Sequence, residues 1–262
     1  MRALKIYFKS IRINIMSQAQ YRGWYFMILQ VFLIVILDPI STVLMFSRFG
    51  NIGEWSVYKI MLIYSLAVTG YGLAETFARG FDYFPWKMIQ SGDFDRLLLR
   101  PCPLTLQAAC SYFHLHRAAR PVSGLMVIFY CLSKLGTVLD TGKILILAGA
   151  LLGGAITYAG VYVMTSGIAF FTVKALDWIY IVTNASYQVT RCPIDYTPKL
   201  LKNAFTFVVP MLVVSYYPAS VICGWGEPFW KGVLALPAAV LFFAVSFVMW
   251  KTGVKRYRST GS

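Results

Sequence analysis

Few residues in this chain could do chemistry, and their spacing argues against catalysis. The two histidines are His114 and His116. At i,i+2 on a helix their rings leave different faces, and no third ligand is evident, so no metal is expected. The five cysteines, Cys102, Cys110, Cys131, Cys192 and Cys223, form no CxxC pair and no even framework. Neither a disulfide nor a metal role is expected of them. Gly142-Lys143 resembles the end of a phosphate-binding loop, but G-x-x-x-x-G-K-[ST] requires glycine at 137 and Ser or Thr at 144. Thr137 and Ile144 stand there instead. The chain therefore has no nucleotide loop of its own, and any energy source has to be another chain. Asp38 is a carboxylate inside an apolar stretch, where a charge is costly and by default suggests function. The other reading is a cap near the outer interface for a helical segment starting at Pro39. An intramembrane enzyme needs a nucleophile, base or metal ligands that converge, and no such set stands out.

The elements that would carry these residues are membrane spans. Of 262 residues, 58% are hydrophobic and 13% charged, and the mean hydropathy is +0.65. Soluble domains carry about 25% charged residues, so an all-α integral membrane protein is expected. The net charge of +14 could indicate nucleic acid. Here the basic residues flank apolar spans, and no nucleic-acid partner is expected. One charged segment stands apart: Gly92-Asp93-Phe94-Asp95-Arg96-Leu97-Leu98-Leu99-Arg100-Pro101. Asp93 can cap a helix, residues 94–100 contain no breaker, and Pro101 and Pro103 stop it. From the residues alone it is either a plain capped helix in a loop or a segment that transmits force from a soluble partner.

Residues 1–23 are expected to form an amphipathic interfacial helix rather than a signal peptide. Arg2, Lys5, Lys9 and Arg12 fall on one face, and Leu4, Phe8, Ile11 and Ile15 on another. The basic face suits anionic lipid head groups. Six spans follow, near 24–46, 57–80, 106–135, 144–173, 177–190 and 229–250. Glu75 and Arg79, at i,i+4 on the inner end of the second span, suit a self-pair or a contact to the loop 81–105. Asp82 and Lys87 make that loop read as aqueous. In the fourth span, Gly149-x-x-x-Gly153 is a small-xxx-small pair for close helix packing. Region 193–224 holds Pro193, Pro198, Pro210 and Pro218, and reads as re-entrant short helices bent near Pro210. One kinked span over 200–223 is the other reading. This topology places 16 of the 24 Lys and Arg residues inside: five in 1–23, six in 79–120, Lys174 and four in 251–258. The bias puts both termini and the charged segment in the cytoplasm.

This order of parts resembles the ABC-2-type permeases, the membrane subunits of one class of ABC exporter. Three stretches are similar to a bacterial export subfamily: the segment 92–101, Pro210-Met211-Leu212-Val213-Val214-Ser215-Tyr216-Tyr217-Pro218-Ala219, and the tail from Trp250-Lys251-Thr252-Gly253 to Tyr257-Arg258-Ser259-Thr260-Gly261-Ser262. Cys192 departs from the aromatic or aliphatic residue usual there. The resemblance implies an elbow helix (1–23), one six-span permease domain (24–252) and a cytoplasmic tail (253–262) in the cell membrane. It makes the helix between spans 2 and 3 a coupling helix that docks on the ATPase, with Asp93, Asp95, Arg96 and Arg100 as a polar grip and Phe94 and Leu97 as an apolar plug. It implies an outer gate in the re-entrant region around Pro193, Pro210, Tyr216, Tyr217 and Pro218. It implies two ABC ATP-binding subunits, which would hold ATP and magnesium, no cofactor in this chain, and a second permease in a homodimer or heterodimer. The alternative class is a non-transporting membrane protein, either a sensor or scaffold or an intramembrane enzyme.

Overall fold

The computed structural model describes residues 2–20, 23–48, 55–89, 94–172, 189–190 and 194–257. Every element in them is helical. The surface helix α1 (Arg2–Ala19) is followed by α2 (Trp24–Ser47), an apolar span of which no part is buried within the chain. α2 continues through Asp38-Pro39. The new segment expected to begin at Pro39 does not form, because neighbouring turns can carry a proline through a long membrane helix.

Helix α3 (Val57–Phe77) starts at Ser56, whose hydroxyl accepts from the Lys59 amide at 3.4 Å. It is the most buried of the candidate spans. The chain breaks at Ala78 and re-enters helix as α4 (Arg79–Phe84), then a π-helical turn (Pro85–Ile89). The expectation of an aqueous loop from residue 81 fails here. Phe81, Asp82 and Phe84 are buried, because the two phenylalanines pack on Trp250 and bring Asp82 in beside Arg79.

The charged segment is α5 (Phe94–Leu98), and Asp93, its expected cap, lies outside the described residues. The third span is not one helix. It is α6 (Leu104–Cys110), an extended break, a 3-10 turn (Leu115–Ala118) and α7 (Ala119–Lys134). The run from Tyr112 to Arg117 contains two histidines and an arginine, side chains that seek polar partners. That leaves α7 at about 24 Å, short of a full bilayer core. Helix α8 (Thr141–Ile168) is capped by Asp140, which accepts from the Lys143 amide at 2.8 Å. Of the fifth expected span only Val189 and Thr190 are described, and Pro193 lies outside the described residues.

Beyond a 3-10 turn (Ile194–Tyr196), α9 (Lys199–Asn203) runs into a π-helical turn (Ala204–Val208). This pair meets α10 (Met211–Cys223) at an angle of 97°. The bend falls at Pro210, where the sequence placed it. Gly224, with φ of 70°, closes α10 in the left-handed region that favours glycine. Then come α11 (Phe229–Val233) and α12 (Ala235–Arg256). Among the described residues four helices are long and apolar enough to cross a membrane, or five if the bent pair counts as one span.

Glycine sets the closest helix contacts. A Cβ on Gly70 of α3 would sit 2.8 Å from the Cα of Gly154 on α8. Gly167 of α8 meets the backbone of Trp250 on α12 equally closely. The expected Gly149/Gly153 pair is half right. Gly153 packs against the Ala235 carbonyl, but Gly149 faces open space.

Candidate functional site

Helix α5 has two unlike faces. Phe94 is fully buried and Leu97 nearly so. The Phe94 ring lies edge-on to Phe84 at 5.8 Å, Phe170 at 5.2 Å and Tyr257 at 4.4 Å. Burial of such a ring stabilises by about 1.5–3 kcal/mol. Asp95, Arg96 and Arg100 are exposed, and so are Leu98 at 54% and Leu99 at 86%. The expected apolar plug is therefore corrected: Phe94 and Leu97 hold α5 to its own chain, and the apolar surface offered outward is Leu98 and Leu99. The i,i+3 spacing of Phe94 and Leu97 puts them on one face of the helix, and the packing around Phe94 turns that face inward. The turn after α5 is pinned by Gln107, whose Nε2 donates to the carbonyls of Leu97 at 3.1 Å and Cys102 at 2.8 Å. A cavity of 290 Å³ lies beside it, lined in part by Ile6, Leu97, Arg100 and Cys102.

The surface helix docks on this region by a third face. Tyr7, Ser10, Asn14 and Gln18 form one stripe at helical spacing. Ser10 Oγ and Asn14 Nδ2 donate to the Cys110 carbonyl at 3.3 and 3.4 Å, and Gln18 Nε2 to Phe113 at 2.6 Å. Tyr7 Oη donates to the Phe77 carbonyl at 2.7 Å. Its phenol is pushed up to about 12 by burial, with Cys110 adding to it, so it stays protonated and a donor. Ser10, Asn14 and Gln18 satisfy carbonyls freed where the third span breaks, and Tyr7 serves the one at the end of α3. Lys5, Lys9 and Arg12 are exposed on the opposite side of α1. Arg2 begins the helix.

A buried ion cluster joins α3, α4 and α7. Glu75, 4% exposed, accepts from three guanidiniums: Arg79 Nη1 at 2.6 Å, Arg117 Nη1, and Arg120 Nη1 at 2.5 Å. Arg79 also lies 2.9 Å from Asp82 and 3.4 Å from the hydroxyls of Tyr71 and Tyr162. The expected Glu75–Arg79 pair is present, but it is one arm of this larger set. Burial pushes the Asp82 carboxyl above its ordinary value, while Arg79 and Arg117 pull it down. His114 and His116 stand beside the cluster. Among the described residues no group of three His, Cys, Asp or Glu could hold a metal.

At the other end of the fold, Pro210 sits at the bend, and Tyr216, Tyr217 and Pro218 lie in α10. The sequence missed their partners. Trp55 packs on Tyr216 and Trp225, with ring centroids at 6.1 and 5.9 Å, and its Nε1 donates to Asp195 Oδ2 at 2.9 Å. These residues come from distant parts of the chain, and no local spacing links them. Lys231 pairs with Glu227 at 2.6 Å and lies over the Tyr217 ring.

No curated protein matches the chain in a sequence comparison. A comparison with protein families gives a match to the family described as ABC-2 family transporter protein, over residues 32–261. That match runs from within α2 through α12 and so takes in the two-faced α5, the ion cluster and the bend at Pro210. It gives the apolar helices a common purpose as the membrane component of a transporter, a multi-pass protein that works with ABC ATPase subunits and is not itself catalytic. The chain belongs to the ABC-2 transporter family.

Proposed function

We propose that this chain forms half of the translocation pathway of an ATP-driven exporter. A second, related permease chain completes the pathway, and two copies of a separate ABC ATP-binding subunit drive it. ATP and magnesium bind on those subunits. The observation that carries this reading is α5, a short helix keyed by Phe94 into its own chain while Asp95, Arg96, Leu98, Leu99 and Arg100 face outward. That is the shape of a docking element which cannot move without moving what it is keyed to. When the ATPase pair closes on ATP it presses α5, and α5 carries α4 through Phe84 and the end of α12 through Tyr257.

The bent pair around Pro210 is a re-entrant outer gate, with Tyr216, Tyr217 and Pro218 on its inner limb. The Trp55–Asp195 bond holds it closed at rest. Helix α1 lies in the surface of the cell membrane with Lys5, Lys9 and Arg12 toward anionic head groups, and both termini are cytoplasmic. The test is to purify the tagged chain from its native membrane in mild detergent. It should bring with it a subunit carrying a complete phosphate-binding loop, and the preparation should hydrolyse ATP. A chain that retains no such subunit under conditions that keep it folded contradicts the proposal.

A further inference from the structure

We infer that Glu75 is the joint through which movement of the coupling segment reaches the third span, acting as a positioning residue for transport. The inference rests on the exporter reading above.

Glu75 is two residues from the last residue of α3 and nearly inaccessible. Its Oε1 takes Arg79 and Arg117, and its Oε2 takes Arg120. Arg79 opens α4, whose Phe84 packs on Phe94 of α5. Arg117 and Arg120 stand at the start of α7, the short third span. Tyr162 on α8 backs Arg79 through its hydroxyl at 3.4 Å. One carboxylate thus ties the second span to the coupling side on one arm and to the third span on the other.

Burying charges is costly and is often no better for stability than apolar packing of the same volume. What an ionic joint adds is directionality and the capacity to exchange partners. Arg79 already has a second carboxylate in reach, Asp82 at 2.9 Å. It can shift weight from Glu75 to Asp82 when α4 moves, without ever standing unpaired. Arg117 and Arg120 reach the same carboxylate from the start of the third span's inner helix, and their hold on Glu75 then sets where α7 starts. The cluster holds two carboxylates, Glu75 and Asp82, against three guanidiniums. Removing one arginine therefore leaves it balanced, whereas removing Glu75 leaves Asp82 facing all three.

That difference decides the experiment. The reporter is Ser133→Cys, exposed near the far end of α7. Its maleimide labelling is followed by peptide mass spectrometry in the permease–ATPase complex in nanodiscs, with and without ATP. Arg120→Gln should keep ATPase retention and ATP hydrolysis within about twofold of wild type. The ATP-dependent change in labelling at 133 should fall at least fivefold. Arg117→Gln should do the same. Glu75→Gln should abolish the change, and Glu75→Asp should restore part of it, which a merely structural loss would not. A full ATP-dependent change in both arginine variants overturns the inference, and so does its loss only together with ATPase binding. If the wild-type complex shows no ATPase retention at all, the exporter reading fails first and the joint has nothing to transmit.

Discussion

The ring of Tyr257, one residue past the end of α12, lies 4.4 Å from the ring of Phe94 at the start of α5. The contact closes a buried aromatic set in which Phe84, Phe170 and Trp250 also take part. Residues 163 positions apart thereby fix one end of the charged segment to the last span. Phe94→Ala should remove about 3–5 kcal/mol of local stability, because so enclosed a site cannot collapse around the loss. Hydrogen exchange over residues 94–98 should speed up far more than over α8. Phe94→Leu, which keeps most of the volume, should cost under half as much.

Helix contacts through glycine make a sharper contrast. Gly70→Ala puts a methyl 2.8 Å from the Gly154 Cα, and both partners are backbone. The helices have to separate, at about 1–3 kcal/mol. Gly149→Ala meets nothing within 4 Å and should be neutral or slightly stabilising, since alanine is the better helix former by about 0.5–1 kcal/mol. Thermal melting of the two variants in one detergent separates them.

Lys199 opens the limb that meets α10 at 97°. In a re-entrant pair it lies on the outer side, so Lys199→Cys should react with an impermeant maleimide applied to intact cells. Labelling only after permeabilisation would replace the re-entrant pair with a single kinked span.

How much of this was legible depended on range. The bend at Pro210 follows from local chemistry, and the sequence reads local chemistry well. α1 was half read. Its basic and apolar faces were visible, yet the Tyr7, Ser10, Asn14 and Gln18 stripe needed knowledge of the carbonyls at Phe77, Cys110 and Phe113 that it serves. The third span was misread as continuous because mean hydropathy passes over a six-residue polar break. Phe94 and Leu97 were assigned outward because apolar residues on a loop helix suit a partner as well as a core. Only the positions of Phe84, Phe170 and Tyr257 decide between the two. Glu75 showed its i,i+4 partner, but Arg117 and Arg120 are more than forty residues away.

The central claim is that the outward face of α5 is where an ATPase grips this chain. Asp95→Ala/Arg96→Ala tests it most directly, because both side chains are exposed and neither supports the core. ATPase copurification with the double variant should fall about tenfold, equivalent to about 1.4 kcal/mol, and stimulated ATP hydrolysis should fall with it, while the melting temperature of the isolated permease stays unchanged. Copurification and stimulated hydrolysis both at wild-type level would contradict the claim.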